Sequence, residues 1–92
     1  MNTIPVVLIT GASRGLGRGI AIEAAAQGLS VAINFASNRA AADETASICA
    51  KVARGPGQRF VPLGGNIGNT VDRMSLVDAT LATFGRIDAL VN

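Results

Sequence analysis

The sequence predicts an α/β fold built on a parallel sheet with helices on both faces. Three observations carry this expectation. Short runs rich in β-branched and apolar residues recur at Val6–Ile9, Val31–Phe35, Arg59–Leu63 and Ile87–Val91. Stretches with helical periodicity separate them, which gives the order βαβαβαβ. Glycine stands at each helix-to-strand junction, as Gly28, Gly55-Pro56-Gly57 and Gly85. Parallel neighbours cannot be joined by a tight turn. A helical crossover between successive strands is therefore the mark of this class, and right-handed crossovers place helices on both sheet faces.

The elements follow in order. Val6-Val7-Leu8-Ile9 is a continuous apolar run without alternation, as expected of a strand buried on both faces. After a glycine-rich turn, the first helix is expected from about Leu16 to Gln27, with Leu16, Ile20 and Ala24 spaced to face the sheet and Gly28 at the C′ position. Val31–Phe35 forms the second strand. Ser37 or Asn38 caps the next helix, roughly Arg39 to Arg54, and Asp43 and Glu44 lie early in it, where the helix dipole favours acids. Arg59–Leu63 is the third strand, although Pro62 interrupts a regular ladder. Beyond the Gly64–Gly68 loop, Asn69 and Asp72 have capping-box-like spacing before a third helix. Its apolar stripe of Met74, Val77, Leu81 and Phe84 is expected to pack on the sheet. Ile87–Val91 begins a fourth, central strand. The sequence stops at Asn92, where a buried strand would lead into a ligand crevice. The 92 residues therefore read as the N-terminal, mononucleotide-binding half of a longer dinucleotide-binding domain of the doubly wound, Rossmann-like kind, whose catalytic half is not in this chain.

Composition narrows the function. The chain is 49% hydrophobic and 15% charged, with a net charge of +2 and a mean hydropathy of +0.41. These values exclude a disordered tail, and no run of about 20 apolar residues suggests a membrane span. Met1-Asn2-Thr3-Ile4-Pro5 lacks a basic n-region and a cleavage site, so a cytoplasmic protein is expected. Cys49 is the single cysteine and histidine is absent, which leaves neither an internal disulfide nor a His-ligated metal site. Cys49 is expected to be a buried, inert thiol. The basic residues Arg14, Arg18, Arg39, Lys51, Arg54, Arg59, Arg73 and Arg86 are scattered, with no interleaved aromatics to stack on bases, so no nucleic-acid partner is expected.

The chemistry concentrates in Thr10-Gly11-Ala12-Ser13-Arg14-Gly15-Leu16-Gly17, between the first strand and the first helix. Glycines there permit positive φ and a close backbone approach to a ligand. The helix offers free N–H groups and its positive dipole end to a pyrophosphate. Ser13 adds a hydroxyl and Arg14 a full charge, and Gly17 lets the helix pack against the strand. The competing reading is a glycine-rich turn that binds nothing.

The Thr-Gly-x-x-x-Gly-x-Gly spacing of Thr10 to Gly17 resembles the cofactor fingerprint of the short-chain dehydrogenases/reductases. The wording Gly11-Ala12-Ser13-Arg14-Gly15 is most like the 3-oxoacyl-acyl-carrier-protein reductase branch. The end, Gly85-Arg86-Ile87-Asp88-Ala89-Leu90-Val91-Asn92, resembles the run leading into the family's Asn-Asn-Ala-Gly motif. The resemblance implies hydride transfer between a nicotinamide cofactor and the carbonyl or secondary alcohol of a small-molecule substrate, with a 3-oxoacyl thioester as the expected one, in a homo-oligomer, commonly a tetramer. It places Gly11, Ala12, Ser13, Arg14, Gly15, Leu16 and Gly17 at the cofactor, with Asn66-Ile67 where the family carries an adenine-contacting Asp-Val, and Asn92 nearby. Cofactor choice turns on the end of the second strand, where an acid selects NAD by accepting from the ribose 2′-hydroxyl. Ala36, Ser37, Asn38 and Arg39 supply no acid, and Arg14 and Arg39 suit a 2′-phosphate. The expectation is NADP rather than NAD.

Catalytic residues are missing. A carbonyl reduction needs an acid to protonate the oxygen, and the family uses a Tyr-x-x-x-Lys pair with a Ser. This sequence has no Tyr, and its only lysine, Lys51, falls on an outer helix. The segment alone is therefore expected to be inactive. Two other readings stand beside the leading one. One is a non-catalytic nucleotide-binding module or truncated paralogue. The other is a methyltransferase-like Rossmann protein, disfavoured by the glycine spacing and by the missing acid.

Overall fold

Alternate residues of the strands face opposite layers, and this organises the molecule. In the computed structural model, which describes residues 3–92, the elements are β1 (Val6–Ile9), α1 (Gly15–Ala26), β2 (Ser30–Phe35), α2 (Arg39–Val52), β3 (Phe60–Gly64), α3 (Thr70–Phe84) and β4 (Ala89–Val91). Val7 and Ile9 of β1, with Val31, Ile33 and Phe35 of β2, pack with Ala21, Ala25, Ala42 and Cys49 from α1 and α2. Val6, Leu8 and Ala32 point the other way, onto Leu76 and Phe84 of α3. The result is a three-layer α/β fold with a parallel sheet in the order β3-β2-β1-β4. The chain advances from β1 to β3 with both helices on one face. It then crosses back over β2 and β1 to β4, with α3 on the other face. Such a reversal makes a switch point, and α/β sheets bind ligands outside the carboxyl ends of their strands at this place. Here it lies between β1 and β4. Met1 and Asn2, part of the stretch read for a leader, lie outside the described residues.

The expected elements are all present, with local differences. Helix α1 ends in a Schellman arrangement: Gly28 donates to the Ala25 carbonyl and Leu29 to that of Ala24, at 3.1 and 3.0 Å. Asn38 rather than Ser37 caps α2, its side chain accepting from Ala41. No acid falls in the first turn of that helix. Asp43 and Glu44 instead pair with Arg39 and Arg18. Pro62 is accommodated because β3 is the outer strand of the described sheet. Arg59 O accepts from Val31 and Phe35 O from Gly65, so odd-numbered residues of β3 face β2 and the Pro62 nitrogen faces the open edge. Asn69 caps α3 through Val71 and Asp72, but Asp72 does not close a capping box: its carboxylate accepts from the Asn66 N–H instead.

Three expectations are overturned. Leu16 does not face the sheet but is 82% exposed. Helix α1 instead buries the small residues Ala21 and Ala25, with Gly17 half-buried against the backbone of Gly11 and Ala12. On α3 the buried face is Leu76, Thr80 and Phe84. Of the expected stripe only Phe84 is buried, while Met74, Val77 and Leu81 are exposed. The helix carries two apolar faces, and only one meets the described sheet. Strand β4 is not buried: it is the other outer strand among the described residues, and Leu90 is 57% exposed. Cys49 is buried as expected, and burial pushes its thiol from 9.0 up to about 11, which makes it a poor nucleophile.

Candidate functional site

The turn after β1 is shaped by three glycines for two reasons. Gly11 and Gly15 sit at φ +61° and +63°, in the left-handed region that a side chain disfavours. Gly17 is required by proximity, since a Cβ there would lie 2.2 Å from the Gly11 carbonyl oxygen and 3.0 Å from Ala12 Cα. The helix thus starts directly against the turn that precedes it.

Asn34 anchors the front of this turn. It is buried in β2, its backbone carbonyl accepts from Ala12 at 2.9 Å, and its side-chain oxygen accepts from Gly11 at 3.3 Å. Its amide nitrogen donates to the carbonyls of Leu63 and Gly65, which ties the β3–α3 loop to the same place. The next five backbone N–H groups, Ser13 to Gly17, have no acceptor among the described residues, and Arg14 at the N-cap supplies no side-chain cap. The first intrahelical bond is Arg18 N–H to Arg14 O. Uncapped donors at the positive end of a 12-residue helix are complementary in charge to an anion.

Charge surrounds these donors unevenly. The Arg14 guanidinium is exposed, with no ion pair or hydrogen bond among the described residues. Arg39 opens α2, beyond the exposed Ala36, Ser37 and Asn38. Its guanidinium lies 5.9 Å from the centroid of the Phe35 ring and 3.8 Å from Asp43. An exposed pair of this kind is weak, so Arg39 can exchange Asp43 for a stronger anion. No carboxylate stands between β2 and Asp43.

On the other side of the switch point, the Thr10 hydroxyl lies 3.2 Å from the Asn92 side-chain oxygen. Thr10 N–H donates to Val91 O at 2.9 Å. Thr10, Ile67 and Asn92, with Leu8, Leu76 and Leu90, line a largely apolar cleft of about 410 Å³. Asn66 stands at its edge in a different role: its side-chain oxygen accepts from Gly68 at 3.0 Å, so that oxygen is spent on the turn. Asp88 is structural. It accepts from Val6 N–H at 2.8 Å and from Arg86 at 2.8 and 2.6 Å. The Arg86 hydrogen bonds first, then that of Val6, hold its carboxyl below the usual range.

The candidate residues thus fall into two groups at one end of the sheet. Gly11–Gly17 and Ala36–Arg39 lie on the α1/α2 side, and Ile67 and Asn92 line the cleft under α3. Sequence reasoning passed over the two side chains that hold these parts together, Asn34 and Arg18. The available signal for Asn34 was a single amide inside the run Val31–Phe35. Arg18 offered a charge one residue after the last glycine of the turn.

The comparisons with known proteins agree with this geometry. The family model for short chain dehydrogenases matches residues 5–92. A 3-oxoacyl-[acyl-carrier-protein] reductase of Synechocystis is 38% identical over 90 residues, 98% of this chain and 35% of its own. An L-rhamnose 1-dehydrogenase (NAD(P)(+)) of Sphingomonas is 37% identical, over 94% of this chain and 32% of its own. A dehydrogenase from Burkholderia cenocepacia, solved with bound NADP, superposes with a TM-score of 0.84 at 30% identity, covering 95% of this chain and 32% of that one. The chain spans about a third of the length of the curated relatives it matches. With the glycine turn, the switch point and the family match in agreement, this chain belongs to the short-chain dehydrogenase family.

Proposed function

We propose that these residues bind the adenosine and pyrophosphate portion of NADP for an oxidoreductase that interconverts a carbonyl and a secondary alcohol. The carrying observation is the turn itself: five consecutive unsatisfied N–H groups at a helix N-terminus, with an unpaired arginine beside them. The amides of Ser13 to Gly17 would receive the pyrophosphate. Arg14 and Arg39 would receive the ribose 2′-phosphate, and the cleft under α3 would take an apolar ring edge against Ile67, with Asn92 beside it. The nicotinamide of such a cofactor supplies the hydride, while the protein supplies binding and orientation.

NADP is preferred to NAD on charge. A 2′-phosphate brings about two negative charges, and two arginines complement it, with no acid between the end of β2 and Asp43. The absence of Tyr and the exposed position of Lys51 on α2 leave no candidate here for the proton donor. We therefore assign that step, and the substrate pocket, to a part of the polypeptide outside this sequence, and we read the segment alone as inactive. A 3-oxoacyl thioester is the proposed substrate class, supported by the Synechocystis relative, in a cytoplasmic homo-oligomer.

Arg14→Glu tests the assignment. In the whole polypeptide that carries this sequence, it should weaken NADPH binding by about 100-fold, as for loss and reversal of a charge-assisted contact, and NADH binding only several-fold. Equal losses for both cofactors would remove the 2′-phosphate from the proposal.

A further inference from the structure

Arg18 is heavily engaged with the protein itself, and the proposed cofactor contacts do not include it. Its guanidinium donates to the Ser13 carbonyl twice, at 3.2 Å from Nε and 2.7 Å from Nη2. It also donates to the Thr45 hydroxyl at 2.9 Å, to the Ala41 carbonyl at 2.9 Å and to Glu44 at 2.9 Å. Buried Thr45 closes the arrangement by donating to Ser13 O at 3.0 Å, with Ala41 O at 3.2 Å. Six of these seven contacts end on the glycine turn or on the inner side of α2. The seventh, to Glu44, is an exposed ion pair and contributes little.

We propose that Arg18 is a positioning residue that sets the preference for NADP over NAD, by locking the Ser13–Arg14 peptide and coupling the turn to the start of α2. This rests on the reading of the turn and of Arg14 given above. In a trans peptide the carbonyl and the following N–H point in opposite directions. With the Ser13 carbonyl held toward α2, the Arg14 N–H faces away from Arg18. The same lock keeps the negative end of that peptide dipole turned away from an anion at the helix N-terminus. It also fixes the backbone from which the Arg14 side chain departs. On the far side, Arg18 grips Ala41 and Thr45 in the turns that follow Arg39. The two arginines proposed for the 2′-phosphate thus hang from elements bolted together by a third, whose Nε and Nη2 donors are spent on the turn and on α2.

The test measures equilibrium dissociation constants of NADPH and NADH in the whole polypeptide, for wild type, Arg18→Met, Arg14→Met and the double variant. Methionine keeps the apolar stem and removes the fork. Arg18→Met should lower the NADPH-over-NADH preference by about tenfold, the effect of losing one charge-assisted alignment. In the Arg14→Met background it should change that preference by less than about twofold, because residues acting through one another are non-additive. Thr45→Val, which keeps shape and charge and removes only the bridging hydroxyl, should lower the preference by a few-fold and guards against misfolding of Arg18→Met. Equal weakening of both cofactors by Arg18→Met and Thr45→Val would overturn the inference, reducing Arg18 to a fold-stabilising residue. So would full additivity with Arg14→Met. If Arg14→Met itself leaves the preference unchanged, the 2′-phosphate reading fails, and this inference falls with it. The first two outcomes leave that reading intact.

Discussion

Replacing Gly17 by alanine probes the closeness of helix and turn on which the phosphate site depends. The added methyl would sit 2.2 Å from the Gly11 carbonyl oxygen and 2.9 Å from its carbon. Ordinary contact lies near 3.5 Å, so the shortfall is about 1 Å, and all three nearest atoms are backbone. Rotamer changes cannot relieve it. Either α1 moves off β1, opening contacts of Ala21 and Ala25, or the turn shifts and the amides of Ser13 to Gly17 lose their alignment. Overpacking of this kind costs about 1–3 kcal/mol, with alanine's helix propensity returning about 1 kcal/mol. Gly19 is the internal control, because it lies in the same helix and a Cβ there meets nothing within 4 Å. Gly19→Ala should therefore stabilise by about 0.5–1 kcal/mol. Urea denaturation of the whole polypeptide should place Gly17→Ala below Gly19→Ala by about 1–3 kcal/mol. NADPH binding should fall by at least about tenfold for Gly17→Ala alone. Matching midpoints and matching affinities for the two variants would refute the close-approach argument.

Two further outcomes follow from the hydrogen bonds. Asn34→Leu strands the Gly11 N–H and the carbonyls of Leu63 and Gly65 in a partly buried place. It should cost about 3 kcal/mol of stability by chemical denaturation, and an unchanged midpoint would show that the amide is dispensable. For Asp88 the sign is set by its lowered carboxyl, caused first by Arg86 and then by the Val6 N–H. A carboxyl depressed in the folded state contributes stability above its unfolded value near about 4, and that contribution fades as pH falls through the range below it. The stability difference between wild type and Asp88→Asn should accordingly be largest near neutrality and shrink below about pH 4. A difference independent of pH would contradict the carboxylate's role.

Element order and the glycine turn were legible because each leaves a local signature. Val6–Ile9 is uniformly apolar, Gly11, Gly15 and Gly17 keep a fixed spacing, and Gly28 and Gly85 stand where helices end. Helix faces were less legible. Periodicity picks out the largest apolar residues, so it chose Leu16 on α1. A helix lying against backbone selects small residues instead, and the buried face runs through Gly17, Ala21 and Ala25. On α3 the pattern supports two faces. The sheet decides between them, burying Leu76 and Thr80 and leaving Met74 and Val77 outside. The side chains that assemble the site were hidden for a different reason. Asn34 acts on backbone groups 23 to 31 residues away and Arg18 on carbonyls 5 and 23 residues away, and a carbonyl acceptor is the same in every residue, so no residue type at a fixed spacing betrays the pair.

The central claim is that the turn and its two flanking arginines bind an adenosine carrying both a 5′- and a 2′-phosphate. Its most direct test is competition against bound NADPH by adenosine 2′,5′-bisphosphate and by AMP, which differ only in the 2′-phosphate. The account predicts that the bisphosphate competes at least about tenfold more strongly, with hydrogen-exchange protection of the amides from Ser13 to Gly17. Equal competition by the two nucleotides, or protection that leaves those amides untouched, would contradict it.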